Sequence, residues 1–263
     1  MRIVRFSPSA SANLGSDPLF GVLNEQDQIL VLRGDPLFGG IVPTESKVAL
    51  ADVRLLAPVI PRSKVVCVGK NYADHAAEMG SELPKEPVIF LIPNTSVIGP
   101  EDTIQWPRMS ERVDFEGELA IVISRICKDV PAAKIDDVIF GYTIANDVTA
   151  RDLQKVDGQW NRAKGFDTFC PLGPWIETDF VPGEQKIITT LNGEVKQSEP
   201  LSSMNFKIPQ IIEFVSSVMT LLPGDVILTG TPAGIGPMPA GATVVVTIEG
   251  IGSLSNKVSP RAS

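Results

Sequence analysis

The chain is short of the residues from which most metal and nucleotide sites are built. Its 263 residues include a single histidine, His75, which excludes H-E-x-x-H and every other multi-histidine metal site. The three cysteines, Cys67, Cys127 and Cys170, are odd in number and form no C-x-x-C pair. That pattern points to reduced thiols in a cytoplasmic protein, acting as small hydrophobes where they fall in apolar runs. Basic charge is also scarce. With 23 Lys and Arg against 31 Asp and Glu the net charge is −8, so neither nucleic acid nor an anionic membrane surface is an expected partner. No apolar run is long enough to span a bilayer, and the opening M-R-I-V-R-F-S-P-S has no apolar core from which a signal peptide is made. The stretch V-I-L-T-G-T-P-A-G-I-G lacks the G-K-[ST] ending of a phosphate loop and is not G-x-G-x-x-G, which excludes a nucleotide loop.

What is present is 43% hydrophobic and 21% charged, the balance of a globular chain with a sizeable core. Short β-branched runs dominate, punctuated by Pro, Gly and Asn. M-R-I-V-R-F, F-G-V-L and I-L-V-L-R-G predict a small β-rich N-terminal subdomain over residues 1–53. A Pro-punctuated linker, R-L-L-A-P-V-I-P, leads into a core domain over 54–263. In that domain K-V-V-C-V-G and P-V-I-F-L-I-P predict buried strands, and Asn192-Gly193 a type I′ hairpin. A short helix is expected at 131–138 and one long core-packing helix over 208–222, with Pro209 in its first turn. The fold class is mixed α+β, predominantly β.

The most informative stretch is V-D-F-E-G-E-L-A-I-V-I-S. Read as one strand, it puts Glu116 and Glu118 on the same face about 6–7 Å apart at Cα, with Asp114 one step further. Carboxylates that close repel and raise each other's pKa unless a cation lies between them. A second strand, G-Y-T-I-A-N-D, ends in a third acid, Asp147. With no His or Cys near, these three make a hard oxygen site suited to Mg²⁺ or Mn²⁺. The alternative is a solvated strand end carrying ordinary surface acids.

Two other stretches surround this one in chemistry. In N-Y-A-D-H-A-A-E-M-G the alanines predict a helix, with Asn71 as N-cap and Gly80 beyond its end. His75 and Glu78 are then neighbours on one helical face, an imidazole with an acid to orient it, or else an incidental surface pair. The stretch R-D-L-Q-K-V-D-G-Q-W-N-R-A-K-G-F reads as a polar loop dense in Arg151, Gln154, Trp160, Arg162 and Lys164. Such donors beside a metal site suit an anionic substrate, and facing away they are a solvated surface.

From Arg54 onward these motifs together resemble the fumarylacetoacetate hydrolase family. The matching runs are V-G-K-N-Y-A-D-H-A-A-E, F-E-G-E-L-A-I-V-I, G-Y-T-I-A-N-D-V-T-A-R-D-L-Q, G-Q-W-N-R-A-K-G-F-D-T-F and L-T-G-T-P-A-G-I-G, most similar to the bacterial acylpyruvate hydrolase and oxaloacetate decarboxylase-like branch. The resemblance implies a β-roll of mixed sheets with a few short helices, a homodimer, and Mg²⁺ or Mn²⁺ on Glu116, Glu118 and Asp147. It places the water-activating pair on His75 and Glu78. It assigns the substrate or its developing enolate to Arg151, Gln154, Lys164 and Thr231, with Tyr72 beside them. The activity implied is hydrolysis of a C–C bond in a 2,4-dioxo acid of acylpyruvate, fumarylpyruvate or fumarylacetoacetate type. The alternatives are decarboxylation of oxaloacetate, isomerisation or decarboxylation of a 2-oxo dicarboxylic acid in aromatic catabolism, and a non-catalytic 2-oxo acid-binding protein. In one respect the chain departs from its relatives. They usually carry lysine where F-L-I-P has Ile92, so Ile92 is expected to face the ligand and to disfavour a second carboxylate.

Overall fold

Runs such as L-A-I-V-I and V-V-C-V offer apolar side chains to both faces of a strand, and such strands are stable only in the middle of a covered sheet. A computed structural model describes residues 1–12, 14–15 and 18–262, and these two runs lie there. Gly117–Ile123 pairs antiparallel with Ile139–Asn146 on one side and Val226–Leu228 on the other. Val65–Gly69 follows in parallel, and Val88–Ile92 closes that end of the sheet. Every residue of Gly117–Ile123 is buried. Val88–Ile92 is not the buried strand that its apolar run predicts. It is an edge strand, with Val88 and Leu91 exposed and only Ile92 fully buried.

A second sheet of five strands runs in the order Glu194–Pro200, Lys186–Leu191, Thr243–Ile248, Gly252–Val258 and Thr103–Ile104. Leu119, Ile121 and Ile144 of the first sheet meet Ile187, Val246 and Leu254 of the second in one buried cluster. The helix Ile208–Val218 seals that cluster with Ile208, Ile211, Ile212 and Val215. It stops short of residue 222, because Leu221 turns away to exchange two backbone hydrogen bonds with Cys127. The Asn192-Gly193 turn has φ of 52° and 82°, the left-handed pair that a type I′ hairpin requires.

The N-terminal strands continue the first sheet. Arg2–Pro8 pairs with Leu19–Leu23, with Val53–Leu56 and with Cys170–Glu177, so part of the stretch read as a linker is itself a strand. Val4, Phe6 and Leu23 form a cluster of their own with Ile29 and Val31 of the next strand, Gln28–Leu32, and Val48 of the strand after it, Pro43–Ala49. No helix among the described residues is long and apolar enough to cross a membrane.

Asn71 illustrates how the loops around the site are tied down. The N-cap position of the helix Ala73–Glu78 belongs to Tyr72, without a side-chain cap. The Asn71 amide instead donates to the carbonyls of Thr229 and Phe206, at 2.7 and 3.1 Å, and its oxygen accepts from the Phe206 amide at 2.7 Å. Asn71 is fully buried, so removing the side chain leaves three backbone groups unpaired. Asn71→Ala is expected to cost roughly 2–4 kcal/mol in unfolding free energy. A loss under about 1 kcal/mol would mean that water replaces those bonds.

Candidate metal centre and active site

The carboxylates sit where two sheets part. The sequence reads as one continuous strand through Glu116, but the chain makes two: Val113–Phe115 in a small three-stranded sheet and Gly117–Ile123 in the large one. Glu116 is the residue between them. Its amide is taken by the Asn146 side chain at 2.9 Å, and the next amide, of Gly117, by buried Gln197 at 3.1 Å. The break aims Glu116 at Asp147, which follows the strand Ile139–Asn146. Oxygens of Glu116, Glu118 and Asp147 lie within 4.8 Å of one another, and all three residues are buried.

The three acids are compensated unequally. Glu116 accepts from Arg151, whose Nη2 lies at 2.5 Å, and from Lys164 Nζ at 3.0 Å. Burial raises its pKa, but the charges of Lys164 and Arg151 outweigh burial and hold it down at about 2. Lys164 also reaches Asp147 Oδ2 at 2.5 Å and Thr149 Oγ1 at 2.9 Å, so its three protons are used. Burial is the largest influence on Asp147 as well, and with Glu116 opposite it prevails over Lys164, lifting the carboxyl to about 6. Among the described residues Glu118 has only the Gly230 amide, at 2.6 Å. Burial, then the charges of Asp147 and Glu116, push it well above the usual carboxylate range.

The second oxygen of Asp147, Oδ1, is buried with no hydrogen-bond partner among the described residues. A buried carboxylate oxygen left bare costs free energy unless something fills the gap. Here an all-oxygen donor set surrounds it, which is what a hard divalent cation takes. The residues present therefore fit such an ion, and the cavity they border, of about 30 Å³, has room for an ion or one water.

His75, Arg151, Gln154, Lys164 and Thr231 line the same cavity, together with Lys70, Met79, Phe90 and Trp160. His75 Nδ1 lies 3.3 Å from Glu78 Oε2. Glu78 is itself held by the Gly234 amide, at 3.2 and 3.3 Å to its two oxygens, so the histidine helix is pinned to the glycine-rich loop. Tyr72 does not line the cavity. It is 2% exposed and packs into the main core cluster, since as the N-cap it faces the body of the protein.

The polar loop expected over 151–164 is two short helices, Arg151–Asp157 and Asn161–Lys164. This divides its donors. Arg151 and Lys164 turn inward, whereas Arg162 turns out to an ion pair with Asp157. Arg151 is also committed within the protein, since its three nitrogens meet Asp114, Glu116 and Gln154. Asp114 is thus a second-rank acid that anchors Arg151 and Arg112. Ile92 belongs to the core cluster of Val65 and Cys67 and lies outside the cavity lining. The expectation that it faces the ligand fails, because its strand ends there and buries it. Lys70, Phe90, Met79 and Gln197 were not singled out, for only the folded chain brings them to the acids, and Asn146 and Thr149 were passed over although they flank Asp147 in sequence.

Mixed sheets thus gather three buried acids and the lone histidine round one cavity. The chain belongs to the fumarylacetoacetate hydrolase family: residues 64–259 match the model described as fumarylacetoacetate (FAA) hydrolase C-terminal. Residues 1–58 match a second, Rv2993c-like N-terminal, model. Protein Rv2993c of Mycobacterium tuberculosis is 61% identical over 98% of each chain. A solved structure of 5-carboxymethyl-2-hydroxymuconate delta-isomerase from Mycobacterium smegmatis is 50% identical, covers 100% of both chains and superposes with a TM-score of 0.90. A fumarylacetoacetate hydrolase from Exiguobacterium antarcticum is 38% identical, with a TM-score of 0.86 over 99% of this chain and all of that one.

Proposed function

We propose that this protein is a divalent-metal-dependent hydrolase that cleaves a C–C bond in 2,4-dioxo acids. The observation that carries the reading is the bare Asp147 oxygen within a trio of buried carboxylates, facing a cavity that the one histidine also lines. Glu116, Glu118 and Asp147 would hold Mg²⁺ or Mn²⁺, which when bound supplies Lewis-acid polarisation of a 2-oxo acid. The Nδ1 proton of His75, donated to Glu78, leaves Nε2 to take a proton from water. Glu78 fixes the ring and stabilises the imidazolium. Arg151 fixes Glu116, and Lys164 supplies the positive charge nearest the site of enolate development. Gln154 and Thr231 offer polar groups that orient the substrate.

A second reading is favoured by the isomerase that is 50% identical over the full chain. On that reading the same residues move a proton, or release CO₂, on a 2-oxo acid without attack by water. An assay of acylpyruvates, fumarylpyruvate and oxaloacetate with added Mg²⁺ or Mn²⁺ separates the two, and turnover of none of them would leave a 2-oxo acid-binding protein. The cation is tested apart from turnover. Mg²⁺ or Mn²⁺ at about a hundred times its Kd is expected to stabilise the fold by about 2.7 kcal/mol, reversibly with a chelator. No change in unfolding temperature with either ion would remove the trio as a cation site.

A further inference from the structure

The positive charges round the carboxylates are almost all spent. Arg112 and Arg151 pair with Asp114, Arg151 and Lys164 with Glu116, and Lys164 with Asp147. One cation that lines the cavity differs. The Lys70 side chain has no hydrogen bond or ion pair among the described residues, and it follows the strand Val65–Gly69. Its φ is +58°, a left-handed conformation that residues with a Cβ adopt at some cost and that clusters at functional sites.

Charge balance gives this free lysine a task. Four buried carboxylates, Asp114, Glu116, Glu118 and Asp147, face three cations, Arg112, Arg151 and Lys164. A divalent ion turns that deficit of one into an excess of one. The excess neutralises the single carboxylate of a 2-oxo acid and nothing more. A second carboxylate would lie towards half-buried Lys70, where the other cations are already paired with acids, and an unpaired charge there is costly. We propose that Lys70 is the specificity residue that pairs with the distal carboxylate of the substrate, so that the preferred substrates are 2-oxo dicarboxylates. The inference rests on the 2-oxo acid reading above and reverses the expectation attached to Ile92: the cation for a second carboxylate comes from Lys70, which follows the neighbouring antiparallel strand.

The test uses the full-length metal-loaded protein and Lys70→Asn, since asparagine accepts a positive φ and removes the charge. Lys70→Arg serves as the conservative variant. Calorimetry measures the Kd of 2-oxoglutarate against that of 2-oxobutyrate, and kinetics the kcat/KM of fumarylpyruvate against acetylpyruvate. Both dicarboxylate-to-monocarboxylate preferences are expected to fall roughly 10–100-fold in Lys70→Asn, the usual worth of a charge-assisted hydrogen bond, and to return in Lys70→Arg. Preferences that stay within about threefold of wild type, or a loss that Lys70→Arg does not restore, would overturn the assignment. A wild-type protein that binds and cleaves neither class would instead overturn the 2-oxo acid reading, and this inference with it. If Lys70→Asn does not fold, Lys70→Gln carries the same comparison.

Discussion

Glu118→Gln is expected to abolish metal-dependent turnover while making the metal-free protein more stable at neutral pH. Glu118 is buried against two other acids with one backbone amide as its partner, so its charge is a cost until a cation is bound. The neutral isostere removes that cost together with a ligand. Glu116→Gln acts in the opposite direction on stability. It strips Arg151 and Lys164 of the carboxylate that holds them, and breaking a buried pair in this way costs about 3–5 kcal/mol. Both variants lose the cation, as titration calorimetry would register. Unfolding temperatures measured in chelator should therefore move apart, up for Glu118→Gln and down for Glu116→Gln. A shift of the same sign in both would mean that the three acids share their compensation equally.

His75→Ala is expected to lower cleavage of acylpyruvates by roughly 10²–10⁴, the worth of a positioned general base. Decarboxylation of oxaloacetate in the same variant should fall far less, because no water has to be activated for it. Glu78→Ala should follow in direction with a smaller loss. Its carboxylate orients the ring and anchors Gly234 but passes no proton to the substrate. Equal losses of both reactions in His75→Ala would assign the histidine to substrate binding. The hydrolase reading would then lack its base.

The parts of this site legible in the sequence are those set by local periodicity. Alternation puts Glu116 and Glu118 together, a strand end supplies Asp147, and three-residue helical spacing joins His75 to Glu78. The charge pairing was not legible. Arg151 and Lys164 read as free donors for a substrate, yet each is consumed by acids 35 and 48 residues away in sequence. Nothing short of the fold reports that. The break at Glu116 is hidden for a similar reason, since V-D-F-E-G-E-L is a good strand throughout and only the side chains of Asn146 and Gln197 divide it. Tyr72 and Ile92 show the converse. Each occupies a motif position next to the site, and packing turns both into the core. Lys70 has an ordinary sequence neighbourhood, and its interest lies in what it lacks.

Lys164 has one more consequence, for how the protein comes to be loaded. In proteins whose metal is structural, the bare ligands repel and the chain does not fold until the ion arrives. Here a resident ammonium already stands between Glu116 and Asp147, so part of the acids' repulsion is relieved without any ion. If the trio takes a divalent ion as proposed above, that ion would have to compete with an internal counter-ion, which favours loose, exchangeable occupancy. The supply of free divalent cation around the protein would then act as a dial on how many molecules are active at a given moment.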